Sequence, residues 1–325
     1  MAKTKIDLIT GILGSGKTTF LREYVRYLLE KGERIAVLEN DFGAVNVDMA
    51  MLHDLKSENC RLEMITGGGD PDCHKRRFKT QLISLGMQHF DRIVMEPSGI
   101  FDMDEFFDTL YEPPLDNWFE IGSILTLLDT EMPEMLTAQQ EYLLASEAAY
   151  SGRLILSKLS HTDETPEQAS ARVLAHVNRA LTAIFCDRQF SSEEMLAREP
   201  LTVQDFAECE AAGYRGASYV KQFNLENIES SVHYFMHVAV PETELESVIA
   251  GLMQDARCGQ ILRIKGTLPA ANGGWLKINA VPGKTELSAV PTAQAVLIVI
   301  GNGISRQEID RHLLAFNTDP EYVSI

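Results

Sequence analysis

The sequence Gly11-Ile-Leu-Gly-Ser-Gly16-Lys17-Thr18 follows the largely apolar stretch 6–9 and matches the pattern GxxxxGK[ST]. The glycines of this pattern allow the backbone to wrap closely around a polyphosphate, with several N–H groups pointing inward. Lys17 is expected to reach the β- and γ-phosphates, and Thr18 to offer its hydroxyl to Mg²⁺. The segment therefore predicts a phosphate-binding loop between a strand and a helix.

A helix is predicted directly after this loop, because residues 19–29 carry apolar side chains at helical spacing. Bound phosphates would then lie at a helix N-terminus, where the helix dipole favours negative charge. The alternative is a glycine-rich turn that matches the pattern by chance, but the flanking strand and helix favour the phosphate loop. The predicted nucleotide-binding residues of the loop are Gly11, Gly14, Ser15, Gly16, Lys17, Thr18 and Thr19.

Strand-like and helix-like patterns alternate along the first part of the chain. Strand candidates occur at 34–39, 61–65, 91–96, 121–129 and 154–156, and helix candidates at 75–86 and 166–181. Such alternation implies parallel strands joined by crossover helices on both faces of a sheet. We therefore predict an α/β fold with a doubly wound, mostly parallel sheet of the P-loop NTPase type. Ligands of such sheets bind at the carboxyl ends of the strands, where the glycine-rich loop falls.

The chain is predicted to contain two domains joined by a connector. The first domain spans 1–190, a polar and weakly periodic connector spans 191–231, and the second domain spans 232–325. Strand candidates of the second domain lie at 233–240, 261–265, 275–280 and 295–300. Helices are predicted at 242–254 and 305–314, where Ser305 is the N-cap candidate and Glu308 stands at the capping-box position. The second domain is therefore predicted to be a smaller α+β module.

Charge composition restricts the class of partner. The 325 residues include 47 acidic and 29 basic side chains, and the formal net charge is −18. Such a charge disfavours binding to nucleic acid or to an anionic membrane, because the electric field repels phosphate groups. It is compatible with a metal cation or a basic protein surface as partner, and its simplest role is to keep the protein soluble.

The cysteines and the first residues predict the compartment. The five cysteines are scattered, so no disulfide framework is indicated and a reducing compartment fits best. One of them, Cys258, precedes a strand candidate and is interpreted as a packing thiol. The chain starts Met-Ala-Lys-Thr-Lys without the apolar region of a signal peptide, and no apolar run is long enough to span a bilayer. A cytoplasmic protein is expected.

A second element of phosphate chemistry is predicted at the end of the strand candidate 91–96. The sequence there is Glu96-Pro-Ser-Gly99, in which Glu96 would hold the water shell of Mg²⁺ and the Gly99 amide would contact the γ-phosphate. A lone Glu-Pro-Ser-Gly would be an ordinary turn. Its position after a buried strand, in a chain with a phosphate loop, favours the functional interpretation.

The segment 39–43, Glu-Asn-Asp-Phe-Gly, follows the second strand candidate and is predicted to be a nucleotide-dependent switch. Its acidic groups would approach Mg²⁺ or orient the attacking water, and Asp41 is the candidate for that role. A solvated strand-to-helix loop is an equally simple interpretation. The predicted catalytic residues are therefore Lys17, Asp41 and Glu96.

Taken together, these segments resemble a known family. The loop 11–19, the Asn-Asp-Phe-Gly segment with Asp48 beyond it, the Glu-Pro-Ser-Gly turn and Ile261-Leu-Arg-Ile-Lys-Gly266 are similar to the CobW family of P-loop GTPases. This family is related to the urease and hydrogenase maturation GTPases, and the similarity extends over most of the chain. The resemblance implies GTP as substrate, Mg²⁺ as cofactor, and a metallochaperone or cofactor-insertion role in which nucleotide state is coupled to metal binding. Asp41 stands where the family usually has Glu.

The metal motif of the family is altered in this chain. The resemblance implies Gly-Cys-x-Cys-Cys before the Glu-x-x-Gly turn, whereas this sequence reads Gly-Asp70-Pro-Asp72-Cys73 followed by His74. Two thiolate positions thus become carboxylates, which makes the site harder and less selective for soft metals. By resemblance, Asp70, Asp72 and Cys73 are the predicted ligands of a transition metal of unspecified identity, with His74 as a candidate fourth ligand. The alternative is that metal binding is lost and Asp-Pro-Asp forms a turn.

The segment expected to read the base is altered as well. GTPases recognise guanine with Asn-Lys-x-Asp, and the corresponding strand end here reads Ser157-Lys158-Leu-Ser160. Lys158 can still pack over the base and is a predicted nucleotide-binding residue, but Ser160 cannot accept both guanine hydrogens. A site without that acceptor is expected to reject adenine less strongly, so GTP and ATP both remain candidate substrates. Asp163 is a candidate substitute acceptor.

The predicted function is binding and slow hydrolysis of a nucleoside triphosphate, coupled to delivery of a metal or metal cofactor to a client metalloprotein or corrinoid protein. One alternative is a nucleotide-gated regulator of a client that carries no metal itself. A small-molecule kinase is disfavoured, because no acceptor pocket or arginine-rich lid is evident in the sequence. The expected partners are proteins rather than nucleic acid or membrane, and a homodimer is a candidate assembly.

Overall fold

The structure is a computed structural model of the 325-residue chain. It describes residues 3–12, 14–41, 52–66, 71–97, 103–223, 230–271, 273–290 and 293–324. These residues form two compact units, one reaching residue 223 and one starting at residue 230. Each unit has its own sheet and its own hydrophobic core.

The first unit is built on a parallel sheet. Its strands are β1 (Thr4–Thr10), β2 (Ile35–Asp41), β3 (Cys60–Thr66), β4 (Arg92–Glu96), β5 (Phe119–Asp129), β6 (Arg153–Ser157) and β7 (Met195–Leu196). They are hydrogen-bonded in the order β3-β2-β4-β1-β5-β6-β7, and every pair is parallel. The predicted mostly parallel α/β sheet is therefore confirmed.

Helices pack on both faces of this sheet. They are α1 (Lys17–Glu30), α2 (Pro71–Gly86), α3 (Met103–Tyr111), α4 (Leu115–Trp118), α5 (Ala138–Ala149), α6 (Pro166–Ala183) and α7 (Val203–Glu210). Successive residues of a strand point to opposite faces, so Val37 packs with side chains of α1 whereas Leu38 packs with side chains of α2 and α3. Because both faces are covered, inner strands such as β2 and β4 carry continuous apolar runs, whereas the edge strand β3 alternates charged and apolar residues.

The strand order determines which chain segments meet at the carboxyl edge of the sheet. β1 lies between β4 and β5, so the residues that follow these three strands are neighbours there. The last residues of the strands are Thr10, Glu96 and Asp129. The sheet thus brings the glycine-rich loop close to two acidic strand ends that are far away in sequence, as expected for a ligand site in an open parallel sheet.

A buried ion pair joins the central strands. Arg92 Nη1 donates hydrogen bonds to Asp7 Oδ1 and Oδ2 at 2.8 and 2.7 Å, and the two residues are 3% and 0% exposed. Asp7 also accepts the backbone N–H of Ser123 at 2.8 Å and the Tyr24 hydroxyl at 2.7 Å. These bonds explain why an aspartate is tolerated in the apolar strand β1, because a buried charge must be paired and hydrogen-bonded.

Much of the region predicted as a connector packs within the first unit. In β7, Met195 pairs with Leu154 at the edge of the parallel sheet. In α7, the ring of Phe206 lies 5.8 Å from the ring of Tyr27 in α1. These contacts supply the first unit with an edge strand and a further helix.

The second unit is an antiparallel sheet packed against helices. Its strands are β8 (Ser230–Met236), β9 (Gln260–Pro269), β10 (Trp275–Val281), β11 (Lys284–Val290), β12 (Val296–Asn302) and β13 (Val323–Ser324), in the order β11-β10-β9-β12-β8-β13. Its helices are α8 (Glu242–Gln254) and α9 (Arg306–Leu313). The predicted N-cap is present, since the backbone N–H of Glu308 donates to Ser305 Oγ at 3.4 Å. In neither unit do the described residues include a helix that is both long and apolar enough to cross a lipid bilayer.

Candidate functional site

The glycine-rich loop joins β1 to α1 at the carboxyl edge of the parallel sheet. Gly14 and Gly16 have φ values of +89° and +88°, in the left-handed region that glycine adopts without strain. At Gly11 a side chain would clash, because its Cβ would lie 2.4 Å from the carbonyl oxygen of Leu127. The observed loop conformation therefore requires glycine at all three of these positions.

Lys17 folds back onto this loop. Its Nζ donates hydrogen bonds to the carbonyl oxygens of Gly11 at 2.7 Å and of Ile12 at 3.3 Å, and the residue is buried. The ammonium is thus held beside the loop backbone at the start of α1. A helix N-terminus and a nearby ammonium together create a strong local preference for an anion.

Two residues predicted to hold Mg²⁺ are brought together. Thr18 lies in the first turn of α1, and Glu96 ends β4, the strand next to β1. The Thr18 hydroxyl donates to Glu96 Oε1 at 3.2 Å. Hydroxyl and carboxylate oxygens are hard donors of the kind that Mg²⁺ prefers, so this pair fits the ion.

The remaining predicted loop residues differ in exposure. Thr19 is exposed in the first turn of α1. Ser15 Oγ is buried and has no hydrogen-bond partner among the described residues. A buried hydroxyl without a partner costs free energy, and the oxygen of a ligand seated in the loop would offset that cost.

Glu147, in α5, is a residue of the site that the sequence patterns did not identify. Its Oε2 accepts the backbone N–H of Gly11 at 2.8 Å, and the residue is 2% exposed. Burial raises the pKa of this carboxyl to about 7, although the charge of Lys17 and the hydrogen bond from Gly11 oppose the increase. A buried carboxyl thus fixes the first residue of the loop, and its charge changes with pH near neutrality.

The lysine predicted to contact the base pairs with carboxylates. Lys158 follows β6, and its Nζ donates to Asp129 Oδ2 at 2.6 Å and to Glu131 Oε2 at 3.3 Å. The preceding residue is bonded directly to the glycine-rich loop, because Ser157 Oγ donates to the Ser15 carbonyl oxygen at 2.7 Å. Lys158 therefore lies beside the loop, and its contact with the base stays a prediction.

A further carboxylate lies at the same edge of the sheet. The backbone N–H of Ser160 donates to Glu199 Oε2 at 3.1 Å, and Glu199 is exposed. Glu199 follows β7, which is the neighbour of β6 in the sheet. The topology thus brings an acid close to Ser160, the position where the GTPase pattern has Asp.

Several predicted residues are not fully described. Gly99 and Asp70 lie outside the described residues. Asp41 ends β2, and Asp72 and Cys73 lie in the first turn of α2, but the side chains of all three are outside the described part of the structure. The predicted water-orienting and transition-metal roles of these residues therefore stay predictions.

Comparison with protein families identifies one match to the first unit. The family model described as "CobW/HypB/UreG, nucleotide-binding domain" matches residues 5–185, more than half of the chain. The matched range includes the glycine-rich loop, Glu96, Glu147 and Lys158.

Curated proteins similar to this chain include three described as zinc chaperones. YeiR of Escherichia coli (strain K12) is 30% identical over 172 residues, which are 52% of this chain and 51% of that protein. YjiA of the same strain is 29% identical over 185 residues, or 53% of this chain and 54% of that protein. CobW of Pseudomonas aeruginosa is 25% identical over 296 residues, or 82% of this chain and 77% of that protein. The chain thus spans about half the length of the first two relatives.

Proposed function

The chain belongs to the CobW/HypB/UreG family, and on this premise we propose that it binds GTP with Mg²⁺, hydrolyses it slowly and uses the nucleotide state to control delivery of a metal ion to a client protein. The main support is the geometry at the ends of β1 and β4, where Lys17 contacts the loop and Thr18 bonds to Glu96. The descriptions of the three relatives as zinc chaperones favour Zn²⁺ as the transported metal.

Binding of the triphosphate would use groups that already surround the loop. The backbone N–H groups at the start of α1 would donate to phosphate oxygens. Lys17 would exchange its hydrogen bonds to Gly11 and Ile12 for contacts with the terminal phosphates. Thr18 and Glu96 would hold Mg²⁺, which when bound neutralises charge on the phosphate oxygens.

Hydrolysis would depend mainly on positioning and on electrostatic stabilisation. The Gly99 amide would contact the γ-phosphate, and Asp41 at the end of β2 would orient the attacking water. We expect a low rate in the isolated protein, because sites of this type commonly need a partner to complete them.

Guanine selection is assigned to Glu199. Its carboxylate accepts the Ser160 N–H and stands at the strand end next to Lys158. Guanine presents two N–H groups that one carboxylate can accept, whereas adenine presents an acceptor at the same edge and would offer the carboxylate no hydrogen bond there. A preference for GTP would thus survive the loss of the usual Asp.

The metal would be held at the start of α2, which follows β3 in the chain. Asp72 and Cys73 belong to the first turn of that helix, and Asp70 precedes it. Two carboxylates and a thiolate form a mixed donor set that binds Zn²⁺ less selectively than three thiolates do. The segment 39–43 begins at the end of β2 and the segment 70–73 comes after β3, and these are neighbouring parallel strands. Both segments therefore follow from the same edge of the sheet, and a change at the γ-phosphate would be passed to the metal ligands there.

The coupling is tested by counting bound Zn²⁺ in the presence and absence of a non-hydrolysable GTP analogue. The variant Asp72→Ala, Cys73→Ala is expected to bind one equivalent fewer than the wild type, and the affinity of that equivalent should change with nucleotide. Cys186→Ser, at a buried position in another part of the first unit, is the control and should behave like the wild type. Equal Zn²⁺ binding by wild type and double variant, or binding indifferent to nucleotide, would contradict the proposal.

A regulator that carries no metal is the second candidate, favoured by the replacement of two family thiolates by Asp70 and Asp72. Such a protein would bind its client in the GTP state whether or not a chelator is present. The metal-delivery function predicts instead that a chelator changes the amount of client bound.

A further inference from the structure

The second unit contains a cluster of metal-binding side chains that the proposed nucleotide and cargo chemistry does not use. A carboxylate oxygen of Asp255, the sulfur of Cys258 and a ring nitrogen of His312 all lie within 4.8 Å of one another. We propose that these three residues form a second binding site for a divalent transition metal such as Zn²⁺.

The three ligands come from two elements that are bonded to each other. Asp255 and Cys258 lie in the turn after α8, and His312 lies near the end of α9. His312 Nε2 is 2.8 Å from Asp255 Oδ2, and the backbone N–H of Ser305, the N-cap of α9, donates to the carbonyl oxygen of Cys258 at 3.0 Å. The helix that carries His312 is therefore tied to the turn that carries the thiol, which holds the donor atoms near a common point.

Close backbone packing keeps this turn in place. Cys258 N–H donates to the Asp255 carbonyl oxygen at 2.9 Å. The next residue, Gly259, has a φ of +87°, and a Cβ there would lie 2.4 Å from the carbonyl oxygen of Gly303. The turn thus lies against the segment that leads into α9, and this packing keeps the three donor atoms within 4.8 Å of one another.

The donor set suits Zn²⁺ and similar ions. Thiolate, imidazole and carboxylate are the ligand types of protein zinc sites, and a site with three protein ligands leaves the fourth position open to water or to an exchanging ligand. Cys258 is fully buried, whereas the side chains of Asp255 and His312 are 15% and 28% exposed. An ion would enter from the side of the aspartate and histidine, and the open position is consistent with exchange rather than with a structural role.

Arg257 competes for the same carboxylate. Its Nε donates to Asp255 Oδ1 at 3.0 Å and its Nη2 to Oδ2 at 2.6 Å. The Arg257 side chain is 72% exposed, so with an ion present it would retain Oδ1 and release Oδ2 at little cost. The hydrogen bond that Arg257 keeps to Oδ1 would then orient the Asp255 carboxylate while Oδ2 binds the ion. In the metal-free alternative, the same residues form a surface ion pair beside a packing cysteine.

The test uses Co²⁺ as a spectroscopic probe on the full chain with Cys73→Ala, which removes the thiolate of the proposed cargo site. The expected result is one bound equivalent with thiolate-to-metal charge-transfer absorption and the intense visible bands of a tetrahedral ion. Cys258→Ser should abolish the charge-transfer absorption, and His312→Gln should weaken Co²⁺ binding by at least about 10-fold. Cys209→Ser, at another buried thiol, is the matched control and should leave the spectrum unchanged.

Absence of the charge-transfer absorption in the Cys73→Ala chain, or its persistence after Cys258→Ser, would overturn the inference. His312→Gln alters a partly exposed residue and so reports on the site even if Cys258→Ser perturbs the core. The result is separable from the proposed function, because GTP binding by the same variants is measured independently. A chain that binds Co²⁺ here but no GTP would refute the proposed function alone.

Discussion

Glu147→Gln is the substitution that tests most quantitatively how the phosphate loop is held. Glutamine has nearly the same size and keeps an oxygen that can accept the Gly11 N–H, but it cannot ionise. Burial raises the pKa of the Glu147 carboxyl to about 7 in the folded protein, from an ordinary value of 4.5. Between these two pH values the unfolded chain has lost a proton that the folded chain retains.

The sign and size of the effect follow from that difference. Since the folded state binds the proton more tightly, the free energy of unfolding falls as pH rises from about 4.5 to about 7, and then levels off. At about 1.4 kcal/mol per pH unit, the ionised carboxylate costs the folded state about 3 kcal/mol above neutrality. Glu147→Gln should therefore change stability little near pH 5 and should increase it by up to about 3 kcal/mol at pH 8.

Urea unfolding followed by tryptophan fluorescence measures this difference. The chain has two tryptophans, Trp118 in the first unit and Trp275 in the second, so a Trp275→Phe background makes the signal report on the first unit. Glu193→Gln, at an exposed carboxylate, is the control and should change stability little at any pH. If Glu147→Gln instead destabilised the first unit at pH 8, the ionised carboxylate would stabilise the folded state. That result would contradict the pKa increase caused by burial.

Three further substitutions test other parts of the structure. Arg92→Met leaves Asp7 buried without its charged partner and should destabilise the first unit by about 3–5 kcal/mol in urea unfolding, and adding Asp7→Val should recover much of that loss. Glu199→Gln should lower the ratio of GTP to ATP affinity by at least about 10-fold, measured by competition with a fluorescent nucleotide; an unchanged ratio would remove Glu199 from base selection. Gly11→Ala should abolish nucleotide binding with little loss of helical circular dichroism, because its Cβ would lie 2.4 Å from the Leu127 carbonyl oxygen. Tight binding by this variant would show that the loop tolerates a different conformation.

Local sequence patterns predicted many of the strands, three helices of the first unit and the parallel type of its sheet, but not the order of the strands. The apolar runs of β1, β4 and β5 identify buried strands, and the phosphate-loop pattern identifies the turn after β1. The strand order depends on how the crossover helices pack on the sheet, which no local pattern encodes. β7 was not predicted, because its two residues lie in a polar region and are defined by their pairing with β6. β11 was not predicted either, because its partly exposed side chains carry no clear period.

In the nucleotide site, residues within short motifs could be predicted from the sequence, whereas a residue that joins the site through the fold could not. Lys17, Thr18 and Glu96 carry short motifs and could be proposed from the sequence. Glu147 was missed because it contacts Gly11 across 136 positions of sequence. The sequence did contain an indication of its role. Apart from that glutamate and one serine, the helical stretch 142–150 is apolar on every side; it reads Tyr-Leu-Leu-Ala-Ser-Glu-Ala-Ala-Tyr. A lone carboxylate in a fully buried helix segment indicates a specific partner.

The cluster of Asp255, Cys258 and His312 could not be predicted from the spacing of residues along the chain. The sequence favours a packing role for Cys258, because this residue precedes a strand candidate of the second domain. Only the approach of α9 to the turn after α8 places His312 beside it. Ligands contributed by two separate elements become visible when the fold is known, and this is why the second site is inferred from the structure rather than from the sequence.

In the proposed function, backbone amides of the loop and the Lys17 ammonium bind a nucleoside triphosphate, and calorimetry tests this binding most directly. Titration of the purified chain with GTP and Mg²⁺ should give saturable heat, and Lys17→Ala should weaken binding by about 10- to 100-fold, the loss expected for charge-assisted hydrogen bonds. Lys56→Ala, at an exposed lysine, should bind like the wild type. Absence of heat with both GTP and ATP, or equal affinity of the wild type and Lys17→Ala, would contradict the claim.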